Sequence, residues 1–78
     1  MREVVVYSAT WCAGCKVVKK ALAENNIRFE EVDITTVEGG AKAKELNVKS
    51  IPVTVVGDIF FVGSRPNTVK EILEAIID

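Results

Sequence analysis

Seventy-eight residues are enough for one domain, residues 1–78, but lie near the lower limit at which an apolar core suffices without several disulfides or a metal; the 49% of apolar residues must therefore pack densely. Ten basic and eleven acidic side chains, spread along the chain for a net charge of −1, exclude a polybasic surface for nucleic acid or a charged membrane. The start, Met1-Arg2-Glu3, leads straight into the apolar run Val4-Val5-Val6-Tyr7, too short for a signal-peptide core or a membrane span, so we expect a cytoplasmic protein.

Residues 3 to 8 are β-branched and apolar at consecutive positions, the pattern of a strand buried on both faces. A short loop then leads to a helix over residues 12 to 25, in which Cys15, Val18, Ala21 and Leu22 share one face while Lys16, Lys19, Lys20 and Glu24 form a solvated one. Asn25-Asn26 stops that helix, and residues 27 to 34 alternate weakly as a second strand, giving a parallel strand-helix-strand unit. Thr35-Thr36-Val37-Glu38 has capping-box spacing and opens a short helix to about Leu46; Gly39 and Gly40, each costing about 1 kcal/mol in a helix interior, should make it the weakest element. Residues 53 to 56 form a strand, Gly57-Asp58 a two-residue turn with Gly first, and residues 59 to 62 return antiparallel. Phe60 and Phe61 point to opposite faces of that strand and both read as core. A last helix starts near Pro66, with Ser64, Arg65 or Asn67 as its cap, and carries Val69, Ile72, Leu73 and Ile76 on one face.

The chemistry concentrates in Thr10-Trp11-Cys12-Ala13-Gly14-Cys15-Lys16, which holds both cysteines of the chain at a strand-to-helix junction. Four readings of the pair compete. As a staple it is poor, since closing a four-residue loop gives about 1.9 kcal/mol against about 4.7 for a hundred-residue loop. Zinc or an iron–sulfur cluster calls for about four ligands, and with two Cys and no His a site would have to be shared between chains; we expect no metal. Two ordinary buried cysteines are the bland reading. The fourth is a cycling dithiol: a helix N-terminus favours a thiolate, Cys12 is the better placed to be one, and a reducing compartment favours a pair that opens and closes.

The element order βαβ, helix, ββα, with Cys12-Ala13-Gly14-Cys15 at the first turn and Ser50-Ile51-Pro52 ahead of the third strand, resembles the thioredoxin/glutaredoxin superfamily over essentially the whole chain. Trp11-Cys12 and Lys49-Ser50-Ile51-Pro52 look like thioredoxin; the short length and Gly63-Ser64-Arg65-Pro66 look more like the small glutaredoxin-like redoxins that serve ribonucleotide reductase. The resemblance implies a minimal thioredoxin fold (βαβαββα, a four-stranded mixed sheet flanked by three helices). It implies a thiol–disulfide oxidoreductase using Cys12 as nucleophile and Cys15 as resolving thiol, with no bound cofactor beyond the Cys12–Cys15 disulfide. Trp11, Ala13, Gly14, Ile51, Pro52 and Gly63 would contact the client, with the Ile51-Pro52 bond cis.

Disulfide-containing proteins, ribonucleotide reductase among them, are the implied partners of a monomer. The alternatives are a glutathione-dependent glutaredoxin and a non-catalytic binding module. Three departures matter: Ala13-Gly14 stands where thioredoxins have Gly-Pro and glutaredoxins Pro-Tyr, the first strand lacks the buried acid of thioredoxins, and one glycine replaces the Gly-Gly of glutathione sites at Gly63, with Asn67 or Thr68 near the expected acid. The last favours a thioredoxin-reductase-type flavoenzyme over glutathione as reductant.

Overall fold

The computed structural model describes residues 3–77; the expectation drawn from Met1-Arg2 falls outside them. Strand β1 (Val4–Ser8) is followed by α1 (Ala13–Glu24), β2 (Glu30–Asp33), α2 (Val37–Glu45), β3 (Val53–Val56), β4 (Ile59–Val62) and α3 (Pro66–Ile77). The sheet runs β2-β1-β3-β4, parallel between β1 and β2 and antiparallel elsewhere, so it is mixed and the fold is the minimal thioredoxin type. No helix of the described residues is long and apolar enough to cross a membrane.

The continuous apolar run of β1 has the double burial expected of a central strand. Val4 and Val6 face α1 and α3, where they pack with Val18, Leu22, Val56, Ile72 and Ile76, while Tyr7 turns to the other face with Val32, Ala43 and Val53 beneath α2.

Helices α1 and α2 end alike. Asn26 and Asn47 take left-handed backbone (φ 56 and 59). The following residues return their N–H groups to the last turn, Ile27 to Leu22 O at 3.0 Å and Val48 to Ala43 O at 2.8 Å. These are Schellman closures with Asn in the place usually taken by Gly. The first of them commits Ile27 to the helix end, which is why β2 begins at Glu30 rather than near residue 27.

The start of α2 differs from the capping-box reading. Thr36, not Thr35, is the cap, its Oγ1 accepting from Gly39 N at 2.9 Å; Thr35 instead donates to Asp33 Oδ1 from both its N–H and its hydroxyl. Glu38 therefore lies one position short of the reciprocal partner's place. Gly39 is also required by packing, for a Cβ there would lie 1.8 Å from the Asp33 carbonyl oxygen. At the hairpin, Gly57 has φ 63, as the first turn position demands. Phe61 packs against the main core, but Phe60 does not: it stays 47% exposed on the opposite face, because α2 covers β2 and β1 and stops short of β4. Pro66 occupies the first position of α3, and Arg65 is the cap residue by its carbonyl, which accepts from Val69 N at 2.9 Å.

Candidate active site

The end of β1 delivers Ala9 and a tight turn, closed by Cys12 N donating to Ala9 O at 3.1 Å, and this turn sets Cys12 as the N-cap of α1. Its sulfur accepts the backbone N–H of Cys15 at 3.1 Å. Cys12 and Cys15 are joined as a disulfide across a Cα–Cα distance of 5.3 Å. Cys15 is wholly buried and Cys12 8% exposed, the two packing with Ala9, Ile34 and Ile51. The helix thus ends on a sulfur where a Ser, Thr or Asp usually serves, and its unpaired N–H groups and partial positive charge face that sulfur.

Around the pair, Trp11 stands 71% exposed, Ala13 is exposed and Ile51 half-buried. Pro52 is buried and the Ile51-Pro52 bond is cis. Gly14 is half-buried, with little room for a side chain: a Cβ on it would meet Ser64 Oγ at 2.7 Å and Pro52 Cδ at 3.3 Å. Gly63 has φ 101 and donates its N–H to Pro52 O at 2.9 Å. The structure therefore gathers the segments around Gly14, Pro52 and Gly63-Ser64 at one end of the sheet, with Cys12 and Trp11 at the rim. Among the described residues no group of three or more His, Cys, Asp or Glu is placed to hold a metal.

Three features escaped the sequence reading. Ser8 is fully buried and donates to Glu31 Oε2 at 2.6 Å, an oxygen that also accepts from Lys19 Nζ at 2.6 Å. Lys19 is therefore tied across to β2 rather than part of a solvated face. The hydrogen bond from Lys19, reinforced by that from Ser8, holds the Glu31 carboxyl below its ordinary value. The signal was there, since Ser8 continues the inward alternation of Val4 and Val6 and a buried hydroxyl needs an acceptor. Thr54, also on that face and opposite Val6, keeps a buried Oγ1 with no protein partner. Ser64 against Gly14 is a contact between distant segments that no local pattern announces.

A Glutaredoxin family model matches residues 4–61. The glutaredoxin-like protein NrdH of Lactococcus lactis subsp. lactis (strain IL1403) is 37% identical over 70 residues, covering 88% of this chain and 97% of that protein. Among solved structures, the thioredoxin-like protein BC3987 superposes with a TM-score of 0.78 at 21% identity, covering 94% of this chain and 99% of that one. The NrdH-redoxin from Escherichia coli, described as a glutaredoxin-like protein with a thioredoxin-like activity profile, superposes with a TM-score of 0.73 at 24% identity, covering 90% and 93%.

Proposed function

The chain belongs to the glutaredoxin family and is a thiol–disulfide oxidoreductase, and we propose that it reduces disulfides of client proteins by a dithiol route in which Cys12 attacks and Cys15 resolves. The observation that carries this assignment is Cys12 as the cap of α1, its sulfur already accepting the Cys15 N–H. After reduction, the same N–H and the helix terminus stabilise a thiolate at Cys12, whereas Cys15 lies under the helix and is reached only from within.

The Cys12 thiolate forms a bond to one client sulfur and expels the other as a thiolate, which takes up a proton. Cys15, as its thiolate, then bonds to Cys12 Sγ and releases the client's second sulfur. Two electrons have passed from the dithiol to the client, and a separate two-electron donor must restore the pair. The exposed Trp11, with Ala13, Gly14, Ile51, Pro52 and Gly63, forms the rim on which an extended client segment lies in this reading. Residues 1–78 act as one domain in the reducing cytoplasm.

Ribonucleotide reductase is the proposed client class, from the likeness of Gly63-Ser64-Arg65-Pro66 to the redoxins that serve it. A thioredoxin-reductase-type flavoenzyme is the proposed reductant. In support, Gly63 stands alone where glutathione sites carry Gly-Gly, its N–H is already engaged by Pro52 O, and Asn67 or Thr68 replaces the acid that would pair with the peptide's amine. Losing such a charge-assisted bond costs about 1.5–3 kcal/mol, roughly ten- to a hundredfold in affinity.

Insulin-disulfide reduction should vanish in Cys12→Ser, while Cys15→Ser should accumulate a mixed disulfide with client. Full activity of Cys12→Ser would refute the assignment of nucleophile. NADPH oxidation should run through thioredoxin reductase and not through glutathione with glutathione reductase; turnover by the glutathione route alone would reverse the choice of reductant and leave the dithiol route standing.

A further inference from the structure

The two edges of the sheet are unlike. β2 carries Glu30, Glu31 and Asp33, charges of the kind that keep another strand from adding to an edge. β4 reads Ile59-Phe60-Phe61-Val62, with neither charge nor proline, and its register with β3 is unbroken. Ile59, Phe60 and Val62 are 41%, 47% and 60% exposed.

The hydrogen-bond phase of this edge can be read from one contact. Gly63 N donates to Pro52 O, and the register pairs 62 with 53, so 63, 61 and 59 turn their backbone groups toward β3. Phe60 and Val62 therefore present both N–H and C=O to the open edge. Their side chains stand on the face that α2 leaves uncovered, where with Leu46, Val48 and Val53 they line a shallow hollow of about 200 Å³.

We propose that β4 is a self-association surface, on which a second copy of this chain pairs its own β4 antiparallel and continues the sheet across a two-fold axis. The phase fits that symmetry: Phe60 exchanges both bonds with Val62 of the second copy, the axis repeats the exchange, and Phe61 faces its own counterpart. The charges choose the direction. Asp58 precedes the strand and Arg65 follows it, so antiparallel pairing sets each Asp58 beside the other copy's Ser64-Arg65, whereas parallel pairing would set like charges together. A four-residue strand on each side buries less than a stable interface needs, so the pair is weak and forms with concentration. It uses none of Cys12, Trp11, Ile51 or Pro52.

Sedimentation equilibrium and a dilution series of amide NMR spectra on the intact oxidised protein test this. Reversible dimerisation is expected, with the amides of Phe60 and Val62 shifting most and exchanging more slowly as concentration rises. Phe60→Lys or Val62→Lys should abolish it while the remaining resonances keep their dispersion. Asp58→Arg should weaken it severalfold, and Asp58→Arg combined with Arg65→Asp should restore it, which no loss of folding could mimic. A monomer at every concentration would overturn the proposal. So would a dimer whose shifts centre on Trp11 and Ile51, a double reversal no better than the single one, or shifts at Phe60 and Val62 that appear only on adding an extended client peptide.

Discussion

Beneath α1 and α3 the sheet is covered by side chains of volume, with Val6, Val18, Leu22, Val56 and Ile72 at 1% exposure or less. Beneath α2 the contact is made by small residues, Gly39 and Ala43, and the helix start lies so near β2 that the Asp33 carbonyl occupies the space of a Gly39 side chain. The first face is held by what its side chains fill and the second by what its residues lack. Deletions should therefore be felt on one and additions on the other.

The largest effect is expected where volume is removed from the first face. Leu22→Ala should lower unfolding free energy in urea by about 2–5 kcal/mol, whereas Phe60→Ala on the open part of the second face should cost under about 1 kcal/mol. Similar losses at both would erase the distinction.

Next comes volume added to the second face. Gly39→Ala should destabilise by about 1–3 kcal/mol because α2 must lift from Asp33. Gly40→Ala, whose Cβ would meet only Ile34 O at 3.1 Å, should be near neutral, the gain in helix propensity of about 1 kcal/mol offsetting the tight contact. A matched penalty at both glycines would show that propensity, not proximity, governs the helix.

Thr36→Ala should cost about 1 kcal/mol through loss of the cap on Gly39 N, with Thr35→Ala leaving that cap intact. The smallest effect is at the rim of the first face, where Lys19 and Ser8 hold Glu31. Its carboxyl is lowered in the folded protein, so the stabilisation is present above the ordinary carboxyl value of 4.5 and is lost as pH falls through the folded value. With the Glu31 side chain 42% exposed, about 0.2–1 kcal/mol is expected. Urea titrations of Glu31→Gln should fall below wild type at pH 7 and meet it once the pH has fallen below the lowered folded value; a constant gap would point to packing instead of charge.

The sequence carried the fold because each strong element had its own local signal: the unbroken apolar run of β1, the Cys15-Val18-Leu22 stripe, the Gly57-Asp58 turn, and Pro66 at the start of α3. Errors arose where a nonlocal fact decided. Thr35 and Thr36 are equivalent as letters, and only the approach of Asp33 assigns one to the aspartate and the other to the helix. Phe60 has the hydrophobicity of a core residue, but no helix reaches it. At the site, the two cysteines and Pro52 were legible from spacing and resemblance; Ser64 was not, because its relation to Gly14 exists only after α3 has packed.

That relation limits what the dithiol loop can hold. The second position between the cysteines is crowded: a Cβ there would meet the Ser64 hydroxyl at 2.7 Å and, once that hydroxyl rotated away, would still lie 3.3 Å from Pro52 Cδ and 3.4 Å from Ser64 Cβ. A bulkier second residue, as in Gly-Pro or Pro-Tyr, needs the Ser64 hydroxyl to turn aside and Pro52 to give by a few tenths of an ångström. Grafting either pair should therefore lower the thermal midpoint more in the parent chain than in a Ser64→Gly background, which would couple residue 64, fifty positions downstream, to the composition of the dithiol loop.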